Sequence, residues 1–326
     1  MKKKLVAVGF FLISLMSPLK SWATNISKIY VFGDSLSDAG NLYNATQSQI
    51  PTSPPYFEGH LSNGKVWVEY IGDKLGLTPT LVTDLQDNTP TDGINYAFGG
   101  SSSGLSNTLF PEAQLPGVLG QVGLFMQSLR ENNQQADPEA LYIVWGGGND
   151  YIFGNVTDVS KPIANLSTSV ALLAIAGAKN IMVANLPDLG KIPFTSGQEN
   201  SSQLTALSQK HNKLLAAALG NLSSIPGVNI IPIDINSLFN RVQATPSEFG
   251  LTNVTNACLV GTLNDIAQGN FSVCPNPNDY LFWDGVHPTT RVHSVIAESA
   301  LSALNTQSLP KPWQHQQSWH SELLKH

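Results

Sequence analysis

Three short apolar runs each stop at a glycine followed by polar side chains. They are Ile29-Tyr30-Val31-Phe32 before Gly33-Asp34-Ser35, Ile94-Asn95-Tyr96-Ala97-Phe98 before Gly99-Gly100-Ser101, and Leu141-Tyr142-Ile143-Val144-Trp145 before Gly146-Gly147-Gly148-Asn149-Asp150. Runs this short and this rich in β-branched and aromatic residues read as strands buried on both faces. Two more follow: Ile181-Met182-Val183-Ala184-Asn185-Leu186, stopped by Pro187, and Val228-Asn229-Ile230-Ile231-Pro232-Ile233-Asp234. Between the strands, helical spacing predicts helices over 66–75 (capped by Gly76), 118–130, 163–178 and 204–219. A last helix is expected over 288–304, with Pro288 at its first position. Alternating strands and helices predict an α/β fold on a doubly wound, parallel five-stranded sheet. In such a sheet the carboxyl ends of the strands share one rim, and ligands bind there.

The beginning of the chain and its charge set further bounds. Met1-Lys2-Lys3-Lys4, an apolar run over 5–16 and the small residues around Ala23 have the layout of a secretory signal peptide, cleaved after Ala23. The apolar run falls short of the roughly 20 residues that cross a bilayer, and no later stretch reaches that length. Residues 24–326 are therefore expected to form one exported domain, periplasmic or extracellular. Only 12% of the residues are charged and the net charge is −6, against a usual charged share of roughly 25%. No basic patch offers itself to nucleic acid, and charge alone would not hold the chain on an anionic membrane. Cys258 and Cys274, an even pair in an exported chain, favour a disulfide over a metal site, since no His or Cys stands near them at zinc spacing.

Near the chain end, Phe282-Trp283-Asp284-Gly285-Val286-His287-Pro288 sets a carboxylate and an imidazole three positions apart, in a turn before the last helix. A serine hydroxyl is a weak nucleophile until an imidazole takes its proton. A buried carboxylate on the other ring nitrogen fixes the tautomer. The oxyanion of the tetrahedral intermediate needs N–H donors, which backbone beside glycine and an asparagine amide provide. Ser35, His287, Asp284, Gly100 and Asn149 meet these requirements one for one. Gly-Asp-Ser alone is as well explained by a polar turn; its occurrence with the other motifs points to catalysis.

The remaining polar residues receive plainer readings. Asp34 and Asp38 are expected to hold the turn after the first strand, Asp150 to orient backbone, and Trp145 and Trp283 to pack beneath the site. His60 and His211 show no carboxylate motif beside them, and His293 lies inside the last helix as a surface or packing residue. His315, His320 and His326 belong to a polar tail. None of these histidines is assigned to catalysis or to a metal, and no organic cofactor is implied.

The blocks Phe32-Gly33-Asp34-Ser35-Leu36-Ser37-Asp38, Asn95-Tyr96-Ala97-Phe98-Gly99-Gly100, Gly147-Gly148-Asn149-Asp150 and Asp284-Gly285-Val286-His287 occur in the order in which they resemble the GDSL (SGNH) family of lipases and esterases. The resemblance covers the chain from Phe32 to about Ala300. It implies the flavodoxin-like SGNH hydrolase fold, with Ser35 as nucleophile and Asp284 and His287 completing the triad. The Ser35 backbone N–H, Gly100 and Asn149 become the oxyanion donors. Gly99 competes with Gly100 for that role, and counting five residues on from Asn95 favours Gly100. The Gly-x-Ser-x-Gly elbow of α/β-hydrolases is absent around Ser35.

A narrower similarity involves Ser53-Pro54-Pro55-Tyr56-Phe57-Glu58-Gly59, Ser62-Asn63-Gly64, Asn185-Leu186-Pro187-Asp188-Leu189-Gly190 and Phe282 through Thr290. These resemble the secreted bacterial branch containing lysophospholipases A, phospholipases and glycerophospholipid–cholesterol acyltransferases. The resemblance implies a lysophospholipid or phospholipid as substrate, with a sterol or other alcohol as alternative acyl acceptor. The residues themselves speak for a serine hydrolase; the lipid comes from the resemblance. A lipid- or carbohydrate-binding module that kept the fold and lost catalysis is disfavoured by the intact set.

Two segments carry open expectations. Residues 102–116, with Leu105, Leu109, Phe110 and Leu115 among Gly, Ser and Asn, read equally as acyl-chain contact surface and as core. Residues 257–277, closed by Cys258 and Cys274, end just before Asp284 and are expected to form a lid or flap at the catalytic rim. A loop cross-linked at its base can be cut without losing its ends, so a processing protease is a conceivable partner there.

Overall fold

Six parallel strands form the central sheet of the computed structural model, which describes residues 26–85 and 90–307. In chain order the elements begin with β1 (Ile29–Gly33), α1 (Asn41–Ala45), α2 (Trp67–Leu75), β2 (Thr80–Leu81), β3 (Gly93–Asn95), α3 (Val118–Glu131), β4 (Leu141–Trp145) and α4 (Gly148–Ile152). They continue with α5 (Ser160–Ala176), β5 (Asn180–Ala184), α6 (Ser201–Leu222), β6 (Asn229–Ile233) and α7 (Ile235–Ala244). The chain closes with β7 (Asn253–Ala257), β8 (Leu259–Val260), α8 (Leu263–Ala267), β9 (Ser272–Val273), β10 (Tyr280–Phe282) and α9 (Thr290–Gln307). The expected signal peptide and the polar tail lie outside the described residues.

The sheet order is β2-β3-β1-β4-β5-β6. The five strands read from the sequence are all present, and β2 corrects the count: Thr80 and Leu81 pair with Ile94 and Asn95 at the edge. Two residues cannot display a period-2 pattern, so this strand leaves no sequence signal. Without it the order is the doubly wound 2-1-3-4-5 of flavodoxin-like sheets.

The strands alternate their side chains between two apolar layers. Ile29 and Val31 of β1 belong to the cluster formed with α2, α7 and α9, whereas Tyr30 and Phe32 face the cluster formed with α3, α5 and α6. β4 is buried along its whole length, as a central parallel strand covered on both faces must be. Two expected helix ends appear where glycine permits positive φ: α2 closes on Gly76 (φ 70°) and α5 on Gly177 (φ 112°). Pro288 does not start the last helix. It bridges Phe282 in extended backbone, its carbonyl accepts the Ser62 hydroxyl at 2.9 Å, and α9 begins at Thr290.

From β1 the chain moves by way of α2 to β3 on one side, then through α3 on the opposite face to β4 on the other side. The crevice where the winding reverses lies between β1 and β4, the position at which doubly wound sheets bind ligands.

Candidate active site

Ser35 follows the carboxyl end of β1, Gly99 and Gly100 follow β3, and Asn149 opens α4 just after β4. All three strands are parallel neighbours, so their ends meet on one rim. A side chain at Gly33 would be tightly pressed, because a Cβ there would stand 3.0 Å from the Trp145 carbonyl oxygen and 3.1 Å from Ser37, and those neighbours would have to give way. The turn that presents Ser35 is held from within. Asp34 accepts the Leu36 N–H at 3.1 Å. The buried Asp38 carboxylate accepts the N–H groups of Gly40, Asn41, Leu42 and Gly99. That last bond ties the serine turn to the glycine turn, so the expected turn-holding role of both aspartates is met.

The Asp284–His287 turn comes to the same rim. His287 Nε2 lies 2.9 Å from Ser35 Oγ, and Nδ1 lies 2.7 and 2.9 Å from Asp284 Oδ2 and Oδ1. Asp284 Oδ1 also accepts the backbone N–H groups of Val286 and His287, at 2.8 and 2.7 Å. With a carboxylate at Nδ1, that nitrogen carries the proton, and Nε2 is free to accept one from serine. Burial works to raise the Asp284 carboxyl. The His287 charge and the hydrogen bonds from His287 and Tyr56 outweigh it and hold the group below its ordinary value. Asp34, also buried, is pushed up to about 6 by desolvation, against the pull of the Leu36 N–H and the His287 charge.

The oxyanion candidates are placed by equally specific contacts. The Asn149 amide donates to the Ser101 carbonyl at 2.9 Å, which fixes its rotation and leaves its second N–H. Gly100 adopts φ 79°, and a Cβ there would stand 2.7 Å from Asn107 Oδ1, so both conformation and space demand glycine. Among the described residues, the Ser35 and Gly100 N–H groups have no acceptor. This arrangement can take a proton from a serine hydroxyl and donate hydrogen bonds to a developing oxyanion.

Several residues with a part in this geometry escape sequence reading. Gln121 on α3 accepts the Gly33 N–H at 2.8 Å and donates to the Gly33 carbonyl at 2.8 Å and the Ser101 hydroxyl at 3.0 Å. It satisfies the Gly33 N–H and shares the Gly33 carbonyl with the Phe98 N–H, which donates there at 3.3 Å; a buried N–H left unpaired would cost roughly 1–3 kcal/mol. Asn107 Nδ2 donates to the Gly99 carbonyl at 2.7 Å. Tyr56 donates its hydroxyl to Asp284 Oδ2 at 2.7 Å. No local pattern couples position 56 to 284; the only signal is that Tyr56 stands in a quoted block.

The other histidines among the described residues each have a partner or a packing place, and His315, His320 and His326 lie outside the described residues. His60 does have a carboxylate partner, contrary to the sequence reading: Nε2 lies 2.9 Å from Glu69 Oε2. Glu69 is on α2, nine positions away, a spacing that becomes contact only when the loop folds back. His211 takes the Tyr151 hydroxyl at Nδ1, and burial holds it down to about 4. His293 is a packing residue, fully buried, with Nδ1 accepting the Trp67 N–H at 3.3 Å. Asp150 orients backbone as expected, accepting both the N–H and the hydroxyl of Ser103. Trp145 and Trp283 are buried. Among the described residues no group of His, Cys, Asp and Glu is arranged to hold a metal.

The two open segments also resolve. Residues 102–116 divide: Leu105 and Leu109 are exposed, while Phe110 and Leu115 pack against the cluster of Tyr56, Cys258, Ile266 and Trp283. Cys258 and Cys274 are disulfide-bonded. The β8–β9 hairpin between them hangs from the strand that leads into the Asp284–His287 turn, for the Cys258 and Leu259 N–H groups donate to the Phe282 and Trp283 carbonyls.

The similarities to known proteins agree with this geometry. The family described as GDSL-like lipase/acylhydrolase matches residues 29–300. The phosphatidylcholine-sterol acyltransferase of Aeromonas hydrophila is 29% identical over 86% of this chain and 91% of its own length. The thermolabile hemolysin of Vibrio parahaemolyticus is 30% identical over 86% of this chain, which spans 64% of that protein. Esterase EstA of Pseudomonas aeruginosa is 31% identical over 96% of this chain, which spans 51% of that protein. With its serine turn, glycine turn, asparagine and Asp–His turn converging on one sheet rim, the chain belongs to the GDSL-like lipase/acylhydrolase family.

Proposed function

We propose that the chain is an exported serine ester hydrolase that releases fatty acids from lysophospholipids and phospholipids through an acyl-Ser35 intermediate. The observation that carries the reading is the continuous relay Ser35 Oγ–His287 Nε2, His287 Nδ1–Asp284, at 2.9 and 2.7 Å. Ser35 Oγ attacks the ester carbonyl carbon as its proton passes to Nε2. The resulting oxyanion is met by the N–H groups of Ser35 and Gly100 and by the Asn149 amide. Collapse breaks the ester C–O bond, and the Nε2 proton goes to the departing alcohol, here the glycerol oxygen of a lysolipid. Water, deprotonated by the same nitrogen, then attacks the acyl-enzyme, releases the fatty acid and restores the serine.

A lipid acyl chain suits the rim. Leu109 borders Gly100, Phe194 borders Gly285 of the Asp–His turn, and both are exposed. Export is supported by the Cys258–Cys274 disulfide, which belongs to oxidising compartments. Acyl transfer to a sterol is the second reading, favoured by the likeness to the Aeromonas acyltransferase. It uses the same acyl-enzyme and differs only in the acceptor.

The test is turnover of the purified chain from Thr24 onward on lysophospholipid, diacyl phospholipid and a short-chain ester, with and without cholesterol, beside Ser35→Ala. Fatty-acid release by the parent, strongest on lysophospholipid and absent in a folded Ser35→Ala, is the expected outcome. Sterol ester among the products moves the assignment to acyltransferase, and an active Ser35→Ala refutes both. Measuring the same rates before and after limited proteolysis of the 258–274 loop shows whether its cleavage activates the enzyme.

A further inference from the structure

The Asp284 carboxylate is held by more than the local turn. Oδ1 accepts two backbone N–H groups from its own turn, so local sequence alone fixes that oxygen. Oδ2, the oxygen nearer to His287 Nδ1, has one further partner among the described residues, the Tyr56 hydroxyl at 2.7 Å. Tyr56 belongs to the Pro-rich loop 47–63, far from Asp284 in the chain, and its ring lies edge-on to Trp283 at 6.4 Å between centroids. The phenol is buried, and desolvation together with the Asp284 charge pushes its ionisation far upward, so the hydroxyl keeps its proton and, facing an acceptor-only carboxylate, donates it.

We propose that Tyr56 is a positioning residue of the hydrolytic site, whose hydroxyl fixes Asp284 Oδ2 opposite His287 and draws off part of its charge. This rests on the serine-hydrolase reading above and deepens it. Donation to Oδ2 has two separable consequences. It restricts rotation of the carboxylate, so that Nδ1 finds its acceptor in place at each turnover. It also disperses negative charge that would otherwise be concentrated on the imidazole proton. Without the hydroxyl, the carboxylate attracts the imidazolium more strongly, and His287 keeps its second proton up to higher pH.

Tyr56→Phe keeps the ring and its contact with Trp283 and removes only the donor. We expect kcat to fall about tenfold, the scale of one hydrogen bond to a charged group, with KM unchanged. The acid limb of kcat/KM should move to higher pH by roughly half a unit. Among the described residues, further ionisable groups close enough to interact with His287 include Asp34 on the turn after β1 and His293 on α9. Asp150 in turn faces Asp34, and His60 faces His293. All four remain in Tyr56→Phe, so a moved limb reports the lost hydroxyl.

An unmoved limb overturns the proposal, whether kcat is unchanged or reduced, since a purely structural role would lower activity without shifting the profile. Should Tyr56→Phe fail to fold, 3-fluorotyrosine placed at position 56 keeps the hydroxyl and makes it a stronger donor. The acid limb must then move to lower pH, and a profile identical to the parent's sinks the idea. Ser35→Ala in the same series separates the two levels. Residual turnover there defeats the hydrolase reading itself, whereas a dead Ser35→Ala beside an unshifted position-56 variant defeats only the role of Tyr56.

Discussion

At the scale of single residues, the site divides into groups that react and groups that keep them in place. Asn149 illustrates the difference within one side chain: one amide hydrogen is fixed on the Ser101 carbonyl, and the other is the one the proposed mechanism gives to the oxyanion. Asn149→Ala should therefore lower kcat by about 10²–10³, as removal of a single oxyanion donor does elsewhere, while the lost bond to Ser101 lowers the melting temperature by only a few degrees. A loss under threefold in a steady-state assay would remove Asn149 from the oxyanion set. Ser35, Gly100, Asn149, Asp284 and His287 were all legible in the sequence, because each sits in a short motif whose spacing carries its chemistry. Tyr56, Gln121 and Asn107 were not. Tyr56 makes one hydrogen bond across 228 positions, Gln121 several to the end of β1 and to Ser101, and Asn107 one to the Gly99 carbonyl, and a lone Tyr, Gln or Asn has no local pattern that predicts such partners.

At the scale of elements, the polar loop 47–63 is a clamp rather than a loose connection. Ser62 donates to the Pro288 carbonyl and Asn63 accepts the Thr290 N–H, so the loop grips the chain just beyond His287. His60 anchors the same loop to α2. Its Nδ1 faces the Phe57 and Glu58 carbonyls at 2.9 and 3.1 Å, and its Nε2 faces Glu69, so both nitrogens meet acceptors and the doubly protonated ring is favoured. Burial pushes the His60 imidazole down, but the Glu69 carboxylate and the two carbonyls prevail and raise it above its ordinary 6.5. A raised folded-state value stabilises fully below the unfolded value and loses that stabilisation as pH climbs through the folded one. The stability gap between the parent and His60→Gln should thus be widest below about pH 6.5 and narrow as pH rises above it. Urea melts across the range measure it, and a gap independent of pH would show that His60 is not held as a cation. The sequence reading missed this pair because a carboxylate nine positions away makes no motif until a loop doubles back onto a helix.

At the scale of the whole molecule, the two apolar layers share their strands: Ile29 and Val31 serve one, and Tyr30 and Phe32 serve the other. Neither layer can persist once the sheet separates, so the chain should unfold as one cooperative unit. Urea transitions followed by near-UV and far-UV circular dichroism are expected to coincide; a resolved intermediate would mean that one flank folds apart. The sequence by itself determined the strand–helix alternation, the parallel sheet and the motifs that converge on its rim, because these depend on periodicity, on glycine at strand ends and on residues close together in the chain. Only the tertiary structure decided the sixth strand, the extended Pro288, the division of 102–116 between surface and core, and the partners of Asp284, Gly33 and His60. Those contacts join groups from six to more than two hundred residues apart, and hydrogen bonding between them depends on which backbone and side-chain groups the packed fold leaves unsatisfied, which no local stretch of sequence specifies.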